Sequence, residues 1–99
     1  MIDFIHIAYE LGVCYLKGIG MRAKPLEAAQ WLEIACSAGH PGAMATLGEM
    51  LLTGCTNEVP QDVETAIKLL EAAADLGEAD AAIALGKVVL ILLLFSLIV

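Results

Sequence analysis

The chain has 99 residues, enough for one small domain with a modest core, and 60% of them are apolar. Ala and Leu swell that fraction while aromatics make up only 5%, a balance that favours an all-α chain over a sheet-based globule. A formal charge of −7 with five Lys and Arg excludes a phosphate-neutralising surface, so nucleic acid is not an expected partner.

The first predicted helix begins after Asp3, a good N-cap, and ends at Lys17 before Gly18. Ile7, Leu11, Cys14 and Tyr15 form its expected apolar stripe. The loop GIGMRAK follows, with Lys17, Arg22 and Lys24 gathered around it. Pro25 suits the first turn of helix two, which carries the stripe Ala28, Trp31, Leu32, Ala35, runs to Ala38 and closes at Gly39. Trp31, on that stripe, reads as core rather than as the mark of a peptide groove. Pro41 opens helix three and Gly54 ends it. After the loop CTNEVP, Asp62 caps helix four, which runs to Gly77, and helix five starts near Ala79.

An internal repeat organises these elements. Residues 28–48 return at 66–86 with an offset of 38 and no gap, and eight of the 21 aligned positions are identical. They are Ala28/Ala66, Leu32/Leu70, Glu33/Glu71, Ala35/Ala73, Gly39/Gly77, Ala43/Ala81, Leu47/Leu85 and Gly48/Gly86. Gly39 supplies a left-handed helix stop, and Gly48 leaves a flat spot where another backbone comes close. Each unit is therefore a helix, a tight turn and a helix. The loop before Asp62 is two residues longer than its counterpart, since Leu11 and Leu47 are 36 apart while Leu47 and Leu85 are 38 apart.

This pattern resembles the Sel-one-like repeat, a relative of the tetratricopeptide repeat. The first unit carries Leu11-Gly12, Tyr15, Gly18, Gly20, Ala28, Trp31, Ala35 and Gly39, with Met21 and Lys24 replacing the family's Val and Asp. The second keeps Leu47-Gly48, Gly54, Val59, Asp62, Ala66, Ala73-Ala74 and Gly77, with Leu51 and Leu69 at aromatic positions. The resemblance covers about residues 7–86 and implies a short α/α solenoid with repeats near 4–39 and 41–77 and a partial one from 79. It also implies a non-catalytic scaffold for proteins or peptides. Some cysteine-rich relatives pair Cys across helices; Cys36 fills one such position but Ala43 stands near the other, so that framework is not carried over.

The third unit abandons the pattern. Leu92 stands where Gly18 and Gly54 stop their helices, and the chain continues as VVLILLLFSLIV, residues 88–99. A solenoid ordinarily closes with a polar-faced cap. Three readings of this tail compete. Twelve residues after Lys87 span roughly 18 Å as a helix, short of a hydrocarbon core of about 30 Å unless Ala79–Lys87 is drawn in. An apolar helix can instead cover a hairpin and a second copy of the chain, or belong to a piece of a longer repeat protein.

No convergent catalytic set stands out. His6 and Glu10, or Cys36 and His40, offer two metal ligands each, where a structural site takes four. A Cys36–His40 nucleophile lacks an orienting third group. Gly18-Ile19-Gly20 follows a helix C-terminus, whose dipole repels anions, so it is no phosphate cradle. No catalytic, cofactor or metal residue is assigned. Three unpaired-looking cysteines and a start, MIDFIHIAYELG, without a basic flank suit a reducing, cytoplasmic setting. The expected partner surface is the exposed side of helices one and three, at Glu10, Lys17 and Glu49. Residues 49–80 carry eight acids against one base, a face that is either solvated or selective for basic partners. Membrane contact through 88–99 is the reading of a different class.

Overall fold

The computed structural model describes residues 3–20 and 22–99; Met21, which stands at a motif position, lies outside them. Among the described residues five helices follow one another: α1 (Phe4–Lys17), α2 (Pro25–Ser37), α3 (Pro41–Thr53), α4 (Val63–Asp75) and α5 (Ala79–Ile98). Among the described residues the only extended pairing is an isolated bridge between Thr56 and Val59. The chain is an all-α solenoid in which each helix packs chiefly on its neighbours in sequence.

The two turns between repeats share one hydrogen-bond pattern. His40 N–H donates to Ala35 C=O at 3.1 Å and Gly39 N–H to Cys36 C=O at 2.9 Å. Thirty-eight residues on, Glu78 donates to Ala73 at 3.0 Å and Gly77 to Ala74 at 2.9 Å. Gly39 and Gly77 sit at φ of 86° and 91°, so each helix ends in a Schellman motif that an L side chain would strain. The turns inside the repeats also correspond: Lys24 N–H donates to Tyr15 C=O and Asp62 N–H to Leu51 C=O, both at 2.8 Å.

Caps hold the helix starts. Asp3 accepts from Ile5 N–H at 3.1 Å and Asp62 from Thr65 N–H at 3.2 Å. The Thr65 hydroxyl also donates to Asp62 at 2.7 Å, and these bonds hold the Asp62 carboxyl below its ordinary range. His40 caps α3 through Nδ1, which accepts from Ala43 N–H at 3.0 Å. Glu78, its counterpart before α5, makes no such side-chain bond.

The core is narrow and built on small residues. Ala8, Ala28, Leu32, Ala35 and Ala43 are fully buried in the first hairpin and its junction with α3, and Leu70, Ala73 and Ala81 in the second. Gly12 and Gly48 are the close-approach points. A Cβ on Gly12 would stand 2.7 Å from Leu32 and 3.3 Å from the Ala28 carbonyl; one on Gly48 would stand 2.9 Å from Leu70 and 3.3 Å from the Ala66 carbonyl. Both hairpins therefore use a leucine seated over a glycine, with the alanine one turn earlier pressing its backbone on the same spot. Trp31 is half-buried and packs against this core.

Two expectations need correcting. The inward line of α1 runs through Ala8 and Gly12 rather than Ile7, which is 40% exposed. The small residues set the line, because only they let α2 approach; Ile5, Tyr9, Tyr15 and Leu16 pack around its edges. Helix two also closes one residue sooner than Ala38, at Ser37, because Ala38 already serves as its C-cap.

Candidate functional site

An open groove of about 630 Å³ lies between α3 and α5. Glu49, Leu52 and Thr53 form its α3 wall, and Asp80, Ile83, Ala84, Lys87, Val88 and Ile91 its α5 wall. Two carboxylates thus flank an apolar floor with one ammonium among them. Among the described residues the basic–acidic side-chain contacts are His6–Glu10 at 3.6 Å and Lys68–Glu64 at 3.4 Å, so the charges of the groove remain unpaired. An arrangement of this kind holds a side chain or a short helix by apolar contact and orients it by charge.

Of the residues singled out in the sequence, Glu49 lines this groove. Glu10, Lys17 and Glu49 are all exposed, but the groove brings Glu10 and Lys17 to neither wall. Asp80 and Ile83 were not anticipated. The repeat offset gives one available signal: Lys87 stands 38 residues after Glu49, at the equivalent place on the next helix. A smaller depression joins the two repeat loops, where Arg22 and Lys24 stand near Glu27 and Glu58.

The polar cluster at the other end has a structural use. Tyr9 stacks on His40 with ring centroids 4.5 Å apart, and His6 lies 6.1 Å from His40. Because His40 Nδ1 is engaged in capping α3, it is not free to accept a substrate proton or bind a metal. Among the described residues no group of three His, Cys, Asp or Glu converges on one point. Cys14, Cys36 and Cys55 are free thiols. Burial, with a smaller contribution from the charge of Glu33, pushes the Cys36 thiol up to about 11. It is therefore protonated at neutral pH and a poor nucleophile.

The helical hairpins, their glycine seats and their turns correspond to a known repeat. A family model for the Sel1 repeat matches residues 8–40 and 41–78, more than two thirds of the chain. The chain belongs to the Sel1 repeat family. A crystal structure of a Sel1 repeat protein from Oxalobacter formigenes superposes on it with a TM-score of 0.80 and 30% identity, over 86% of this chain and 24% of that one. An exopolysaccharide production negative regulator from Rhizobium leguminosarum bv. viciae is 44% identical over 43 residues, which is 43% of this chain and 16% of the regulator. The chain thus spans about a quarter or less of the relatives it matches. Sel1 repeat proteins generally mediate protein–protein interaction.

Proposed function

We propose that this chain is a non-catalytic interaction scaffold whose α3–α5 groove receives an apolar segment carrying a basic residue. The observation behind this reading is the pairing of an apolar floor, at Leu52, Ile83 and Ile91, with the two unpaired carboxylates of Glu49 and Asp80. The surplus of acids over residues 49–80 extends the same preference around the groove and draws a cationic partner in. Membership of the Sel1 repeat family supports protein binding in general, and the lining of the groove supports an apolar, basic segment as the partner. Glu10 and Lys17, exposed on α1, would extend that surface.

The test is binding of two synthetic amphipathic peptides with the same apolar stripe, one bearing Lys and one bearing Glu at polar positions. Fluorescence anisotropy is expected to rise only with the basic peptide, with affinity falling as salt increases. Backbone NMR shifts should centre on Glu49, Asp80 and Ile83. Equal binding of both peptides, or shifts centred on α2, would overturn the reading.

A second reading follows from α5 itself. Its 20 residues are long and apolar enough to cross a membrane, and only 11% of its most apolar window is buried. At about 1.5 Å per residue the helix measures about 30 Å, with Lys87 near its middle. A cytoplasmic protein that docks peripherally or inserts this helix in a bilayer would use the repeats as a handle. Flotation of the full chain with liposomes in high salt is its expected signature. Failure to float, or release by salt, would remove it.

A further inference from the structure

Helices α3 and α5 hold equivalent places in successive repeats, 38 residues apart. α3 uses two faces. Ala43, Leu47 and Met50 are buried on its α2 side, and Met44, Gly48 and Leu52 pack toward α4. α5 repeats only the first face, with Ala81 fully buried and Leu85 and Val88 half-buried. The second face, at Ala82, Gly86 and Leu90, is exposed, and a Cβ on Gly86 would meet nothing within 4 Å.

That exposed face continues along the helix as one stripe: Ala79, Ala82, Gly86, Leu90, Leu93 and Leu97. Small residues fill its first half and leucines its second. We propose that α5 pairs with α5 of a second copy of this chain, antiparallel, about a twofold axis near residue 88. This register sets Gly86 against the partner subunit's Leu90 and Ala79 against the partner subunit's Leu97. Each small half then receives a large half, and the twofold repeats both contacts.

The contact so formed is the one both hairpins already use. Leu32 lies over Gly12 and Leu70 over Gly48, in each case between antiparallel helices. The area is also sufficient. Val89, Leu90, Leu93 and Leu97 are each more than half exposed. Covering them with the small residues between would remove about 600 Å² per copy, about 1,200 Å² for the pair, the lower edge of specific interfaces. A single exposed apolar stretch of this size reaches the upper edge of what a soluble monomer normally shows.

Sedimentation velocity of the full chain in detergent-free buffer, across the micromolar range, is expected to show a dimer. Gly86→Leu fills the seat of the partner subunit's Leu90 at an exposed position where its Cβ meets no neighbour in its own chain, so helix content stays and the dimer dissociation constant rises at least tenfold. Orientation is read by cross-linking in a background with Cys14, Cys36 and Cys55 replaced by Ala. Gly86→Cys and Leu90→Cys chains, mixed and mildly oxidised, should cross-link to each other rather than to themselves. A monomeric full chain, an association indifferent to Gly86→Leu, cross-links between like variants, or a chain monomeric on liposomes would each overturn the proposal.

Discussion

The two inner hairpins and α5 are built from the same sequence unit, yet they treat the same residue differently. At Gly12 and Gly48 a leucine and a carbonyl of the next helix close on the missing side chain. At Gly86 the unit is written out again, Ala81, Leu85 and Gly86 included, and nothing of the same chain closes on it. The lesson is that a glycine in a repeat is a demand made by the neighbouring helix rather than by its own. Where that neighbour stands, glycine is required; where it does not, glycine is a cost to the single chain, because it leaves a helix interior less stable by up to about 1 kcal/mol than alanine.

Leucines show the contrast most strongly. Leu70 is fully buried over Gly48. Leu70→Ala is expected to lower the unfolding free energy by about 3 kcal/mol in urea titration, and Leu90→Ala to leave the fold of the single chain within about 0.5 kcal/mol of the parent. Equal losses at the two would erase the distinction between filled and open seats. Next come the glycines themselves. Gly48→Ala drives a Cβ to 2.9 Å from Leu70 and should destabilise by about 2 kcal/mol, whereas Gly86→Ala, measured on the dissociated single chain, should stabilise by up to about 1 kcal/mol. Opposite signs in the same assay are the outcome to seek.

The caps give a smaller test. His40 satisfies Ala43 N–H at α3 while Glu78 satisfies no N–H at α5. His40→Ala should cost about 1 kcal/mol, and Glu78→Ser should add several tenths. Smallest of all is a chemical difference between thiols. Cys55 is exposed and Cys36 half-buried. With the Cys36 thiol raised from 9.0 to about 11, alkylation at pH 8 should modify Cys55 first and Cys36 last. The stability that Cys36 gains by staying neutral is complete below pH 9 and is lost as pH rises through about 11. Equal alkylation rates would place Cys36 at the surface.

Most of the helical frame was readable from residues with a local mechanism. Asp3 and Asp62 cap, Gly18, Gly39, Gly54 and Gly77 take positive φ, and Pro25 and Pro41 open helices; each acts within a few residues of itself. The direction of α1 was not, because choosing Ile7 weighs bulk, while the close crossing with α2 selects Ala8 and Gly12. His40 was weighed as a ligand or base and turned out to be a cap, since its role depends on the φ and ψ of the turn before Pro41. Glu49 is exposed on α3, but its groove partners Asp80 and Ile83 come from another helix, and only tertiary packing brings them across.

That each helix packs chiefly on its sequence neighbours also has a kinetic meaning. No distant segments must find one another before contacts begin to reward chain closure, so the barrier is set by forming one hairpin rather than by a search. Either α1–α2 or α3–α4 can nucleate, with the other zipping onto it through the α2–α3 turn. Refolding should be fast, on the order of a millisecond or less, and a mutation that disables one hairpin should slow folding little while the other remains able to start it.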